Sequence, residues 1–158
     1  MKNTLKYLGL ILILFVTGFL IRDYFFDLSI SQITNENTQV VSRNISGQFF
    51  SHFTFALSIG ILPLLYLIIK KVTKLNFINQ GLITCGIIIG CGVLLWQLRI
   101  FQLNNQAQNL SDLNIGNGIK MQMDYENLNF EIYMFIGFIV GTVLSILIFK
   151  NRTKSVSE

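Results

Sequence analysis

Four long apolar stretches, at residues 5–21, 53–69, 82–101 and 132–149, decide what this chain can become. In lipid every backbone polar group must be satisfied within the structure, so a spanning segment is a helix or part of a closed barrel. About 20 helical residues cross a hydrocarbon core, and these stretches have that length. Barrel strands would be about 10 residues long with alternating polarity, and these runs do not alternate. Only 13% of the 158 residues are charged, against about 25% in soluble domains. The expected fold is therefore all-α, a polytopic membrane protein folded as a bundle of four transmembrane helices. Residues 1–158 form a single four-span domain, because the segments between spans are too short for a separate well-buried one.

The net charge of +4 invites a nucleic-acid reading, and the distribution of charge argues against it. Lys2 and Lys6 precede span one, Lys70, Lys71 and Lys74 follow span two, and Lys150, Arg152 and Lys154 follow span four. Basic residues beside spans stay cytoplasmic and meet anionic lipid. The expected topology places both termini in the cytoplasm and the segments 22–52 and 102–131 outside, in a cell membrane of bacterial inner-membrane type. The bilayer is the first partner and nucleic acid is not one. Span one has the basic start of a leader peptide, but bulky and charged residues 19–24 follow it where a cleavage site needs small ones. It reads as an uncleaved anchor.

Pro63 sits in mid-span and predicts a kink in span two. Small residues recur four apart as Ala56 and Gly60, Gly86 and Gly90, and Gly137 and Gly141. That spacing puts each pair on one helix face, where another backbone comes close. The faces serve packing within the chain, self-association or a partner helix. Outside, Ile100, Leu103, Ala107 and Leu110 keep a helical spacing, so helix three rises above the membrane until Gly116-Asn117-Gly118 stops it. Residues 119–126 alternate like a strand; a competing reading makes residues 113–125 a hairpin about the glycine turn. In the first external segment Ile30, Ile33, Asn37, Val40 and Val41 fit a helix continuing span one. The external elaborations are thus short, helical or hairpin.

Several chemistries lack their residues. Membrane thiol–disulfide enzymes need paired cysteines near the outer surface. Here Cys85 and Cys91 lie six apart within one span, pointing in different directions. The single histidine, His52, would serve a haem only across a symmetric dimer. Met121 and Met123 suit Cu(I) by ligand type but have no nearby His or Cys. No cofactor or metal is expected, and no nucleophile motif or phosphate loop is present. Ionisable residues in the bilayer mark transport paths, and none lies near mid-span. Arg99, about one turn inside the end of span three, is the nearest. It reads either as a snorkelling side chain or as one partner of an outer-mouth polar network with Glu131 or Asp27, joined by Gln97.

The leading expectation is a non-enzymatic membrane subunit or scaffold whose outer segments or small-residue faces meet a protein partner. The alternative is a homo-oligomeric channel or membrane-perturbing effector, with Thr17, Thr54, Ser58, Thr84, Gln97, Thr142 and Ser145 lining a path between chains. A small-molecule carrier or membrane enzyme using Arg99, Glu131 and Asp27 ranks below both.

Overall fold

A computed structural model describes the backbone of residues 2–33, 38–41, 45–73, 78–112, 121–124 and 127–155, and the side chains of 5–33, 46–73, 80–109 and 127–150. The described chain is a helical bundle with one pair of short strands. Its elements run α1 (Lys2–Ser31), β1 (Thr38–Val41), α2 (Ile45–Gly60), α3 (Leu62–Thr73), α4 (Ile78–Asp112), β2 (Met121–Asp124) and α5 (Phe130–Ser155). Four helical segments, Leu5–Ser31, Ser46–Thr73, Gln80–Asn109 and Phe130–Lys150, are long and apolar enough to cross a membrane.

Span two is made of α2 and α3, which meet at Ile61, two residues before Pro63. Proline has no backbone N–H to give to Ile59. The chain holds on either side of that gap: Ile61 donates to Leu57 O at 2.9 Å and Leu65 to Ile61 O at 3.0 Å. The break is confined to the turn at Ile61, and these hydrogen bonds carry the backbone across it.

Glycines set which helices come closest. A Cβ on Gly18 would stand 3.0 Å from the Ala56 Cα, and one on Gly60 would stand 3.1 Å from the Phe15 Cβ. These contacts make α1 and α2 an antiparallel pair. A Cβ on Gly137 would meet the Cys91 carbonyl at 2.5 Å, and one on Gly141 the Ile88 Cα at 2.7 Å, so α4 and α5 are a second, closer antiparallel pair. Ala56, Gly60, Gly137 and Gly141 therefore pack inside the chain. Gly86 and Gly90 do not: a Cβ at either would meet nothing within 4 Å. The partner that Gly137 and Gly141 find on α4 is the neighbouring face of Cys91, Gly92 and Ile88.

One core cluster runs the length of the bundle, from Phe149, Ile69 and Leu65 through Ile88, Phe138 and Met134 to Trp96, Phe55, Phe130, Ile100, Leu103, Ala107 and Ile33. Toward one end it is aromatic, with the Phe25 ring 4.6 Å from Phe55 and 5.3 Å from Trp96, centroid to centroid. There the Trp96 indole donates to Ser29 Oγ at 3.0 Å and ties α1 to α4.

The external segments differ from one expectation and agree with another. The helix continuing span one ends at Ser31, and Val40 and Val41 belong to β1 instead. The strand reading of 119–126 holds for β2, whose partner is β1, in parallel, with Thr38 opposite Met121 and Val41 opposite Asp124. The two external segments are therefore joined to each other. The proposed hairpin turn at 116–118 lies outside the described residues. α4 does rise as its periodicity implies, with Ile100, Leu103 and Ala107 buried.

Candidate functional site

At the aromatic end of the bundle a belt of polar side chains crosses from helix to helix. Its centre is Arg22, on α1 and only 2% exposed. Arg22 Nη2 donates to Glu131 Oε1 of α5 at 3.1 Å and to Ser51 Oγ of α2 at 2.5 Å. Ser51 in turn donates to the same Glu131 oxygen. Arg22 Nη1 lies 3.3 Å from Asp23 Oδ1, and its guanidinium carbon sits 4.5 Å from the centre of the Phe26 ring. One cation thus joins three helices, with an aromatic face covering it.

Asp23 carries the belt to the surface. His52, the residue after Ser51, places Nε2 3.0 Å from Asp23 Oδ1 and Nδ1 2.9 Å from the carbonyl of Gln48. The adjacent side chains Ser51 and His52 therefore face different carboxylates and form no dyad.

Arg99 brings in α4. Its Nε donates to Leu128 O at 3.0 Å and its Nη2 to Asn127 O at 2.7 Å, while its guanidinium lies 5.0 Å from the centre of the Tyr133 ring. These carbonyls lead directly into α5. Asn129 follows with φ 52°, a left-handed conformation that asparagine tolerates better than most residues. Its carbonyl accepts from Ile132 at 3.1 Å and Tyr133 at 3.2 Å, and this starts the helix. Glu131 then stands in the first turn, where the helix dipole favours an acid. Arg99 fixes the entry to α5, and that entry aims Glu131 at Arg22.

The expected outer-mouth network of Arg99, Gln97, Glu131 and Asp27 is thus wired differently. Glu131 pairs with Arg22. Arg99 holds backbone carbonyls. Gln97 is exposed and donates to Gln32 Oε1 at 3.2 Å, and Asp27 is exposed on α1. Sequence reasoning passed over Arg22 because a cation at a span end reads as an ordinary flank. The adjacent Phe25-Phe26 pair was the available signal, since an aromatic face beside an arginine is a way to cover it.

The belt sits at a consistent height. At about 1.5 Å per residue, Ser51 stands about 28 Å from Lys70 and Glu131 about 28 Å from Lys150. A hydrocarbon core is about 30 Å thick. The belt therefore lies one bilayer thickness from the basic ends of the helices. Exposed Phe19, Tyr24, Phe49, Phe50, Phe53 and Phe101 ring it, as aromatic residues do at membrane interfaces.

The hydroxyls proposed to line a path are mostly bound to their own helices. Thr17, Thr54, Ser58, Thr84 and Thr142 each donate to the carbonyl four residues back. Ser58, Thr84, Thr142 and Ser145 are buried in the bundle, while Thr17 and Gln97 are exposed. They do not share one face. Among the described residues no three of His, Cys, Asp and Glu are grouped to hold a metal ion. No protein-family model, no curated protein and no solved structure matches the chain.

Proposed function

We propose that the chain is a non-enzymatic membrane subunit or scaffold that presents a small folded cap to a partner membrane or envelope protein. The observation that carries this reading is the cap itself. Beyond the belt, α1 continues to Ser31 and α4 to Asp112, about 14 and 20 Å further at helical rise. Ile33, Leu103, Ala107 and Leu128 are buried there and belong to the same core cluster as the spans. β1 and β2 join the two external segments. Connecting two spans needs only a few residues; this chain builds a layer instead. Belt side chains bind one another, which suits a lock better than a reactive centre. In this reading the cap faces outward from a cell inner membrane and both termini are cytoplasmic, supported by the basic residues at the opposite end.

A second reading, self-association, is favoured by the open space at Gly86 and Gly90 on α4. A channel between chains is the less favoured form of it, because Thr17, Thr54, Ser58, Thr84 and Thr142 are bound to their own helices.

Native mass spectrometry of the protein, extracted from its own membrane in mild detergent, tests both. A different protein at fixed stoichiometry supports the subunit reading. A clean homo-oligomer moves the weight to self-association. A monomer carrying a small molecule overturns both in favour of a carrier.

A further inference from the structure

We propose that His52 is a proton-operated fastening between α1 and α2 at the belt. The ring stands between two acceptors. Nδ1 lies 2.9 Å from the Gln48 carbonyl oxygen and Nε2 lies 3.0 Å from Asp23 Oδ1. A carbonyl and a carboxylate only accept, so the doubly protonated ring alone serves both as donor. A hydrogen on Nδ1 lets the ring donate to the Gln48 carbonyl in either charge state. The exchangeable proton is therefore the one on Nε2, facing Asp23.

With that proton in place the charges alternate through the belt: His52 positive, Asp23 negative, Arg22 positive, Glu131 negative. Without it, a ring lone pair faces a carboxylate, and Arg22 stands between two anions. The Asp23 side chain is 72% exposed and turns to water at little cost. Arg22 keeps Glu131 and Ser51. The proton thus controls the solvent-side tie and leaves the buried one intact.

The groups around His52 come from each packed element. α1 presents Arg22, Asp23 and the Phe19 ring, 5.4 Å away. α2 presents Ser51 and the Gln48 carbonyl. α5 presents Glu131 beyond Arg22. The ionisable groups of α3, Tyr66, Lys70 and Lys71, belong to the opposite end of the bundle. Histidine is the side chain that changes charge near neutral pH, so the compartment bathing the belt sets this contact. The tie is present while the ring is charged and is lost as rising pH removes the Nε2 proton.

His52 is the single histidine of the chain, so a ¹⁵N-histidine spectrum of the full chain in lipid nanodiscs reads it alone. Both ring nitrogens are expected to carry hydrogens at the acidic end of a pH series, and only Nδ1 at the alkaline end. A neutral Nε2–H tautomer overturns the proposal. A double-mutant cycle of His52→Phe and Asp23→Ala supplies the energetic reading. Their coupling should change the folded-to-unfolded ratio about two- to fivefold at the acidic pH and vanish at the alkaline one. Equal coupling at both also overturns it.

Discussion

Removing Arg22 would leave the Glu131 carboxylate buried with Ser51 as its remaining side-chain partner among the described contacts. The side chains of the pair are 3% and 6% exposed. Breaking such a pair from one side costs about 3–5 kcal/mol, while replacing both members with packed apolar side chains is often neutral. Arg22→Ala should therefore destabilise the protein by roughly that much, and Arg22→Met combined with Glu131→Leu should recover most of the loss. Arg99→Ala should cost less, about 1–2 kcal/mol, because water reaches the Asn127 carbonyl that it vacates. Denaturant titrations of the three variants in one detergent check the order. Equal losses for Arg22→Ala and Arg99→Ala would show that the belt is not centred on Arg22. Sequence alone pointed to Arg99 because it is the charged residue set inside an apolar run, and to Glu131 or Asp27 as its partner. Arg99 and Glu131 do lie in the belt, while Asp27 is exposed. Their wiring was illegible because Arg22 and Glu131 are 109 positions apart, and no residue pattern records the register of α1 against α5.

Between helices, glycine position decides more than glycine spacing. Gly137 and Gly86 each belong to a small-xxx-small pair, and the two pairs were equivalent as sequence. In the fold they are opposites. A methyl group on Gly137 would meet backbone, Cys91 O at 2.5 Å and Gly92 Cα at 2.6 Å, and backbone cannot rotate away. Gly137→Ala should therefore push α4 from α5 and cost about 1–3 kcal/mol. Gly86→Ala meets nothing within 4 Å and should leave the monomer unchanged or slightly more stable. Thermal midpoints of the two variants, measured at a dilution where self-association is absent, separate these outcomes. A loss at Gly86 as large as at Gly137 under that condition would mean that the Gly86 face is packed within the chain itself, against the open space found there. Helix ends show the same limit of sequence reading. The apolar runs at 5–21, 53–69, 82–101 and 132–149 marked where lipid touches the chain. The helices extend past them, because an amphipathic extension such as Ile100–Ala107 is stabilised by the cap core and not by the bilayer. Val40 and Val41 fitted a helical spacing from Ile30 and became a strand, since the pairing with β2 lies in a segment that local periodicity does not see.

Across the whole molecule, two features mark the membrane independently. The basic residues at the ends of α3 and α5 mark one boundary, and the Arg22–Ser51–Glu131 belt with its aromatic ring marks the other. Their separation of about 28 Å, from helical rise alone, agrees with the thickness of a hydrocarbon core. The bundle therefore has a defined depth, and the remaining choice is which end faces the cytoplasm. The charge rule assigns the basic end to it. Single-cysteine labelling decides the matter once Cys85 and Cys91 are replaced by alanine. Asn105→Cys lies on the exposed surface of α4 beyond the belt, and Val72→Cys lies on the exposed surface of α3 among the basic residues. An impermeant maleimide on intact cells should label the first at once and the second only after permeabilisation. The reverse pattern would turn the cap toward the cytoplasm, leave the bundle and belt as they are, and move the search for a partner to the other side of the membrane.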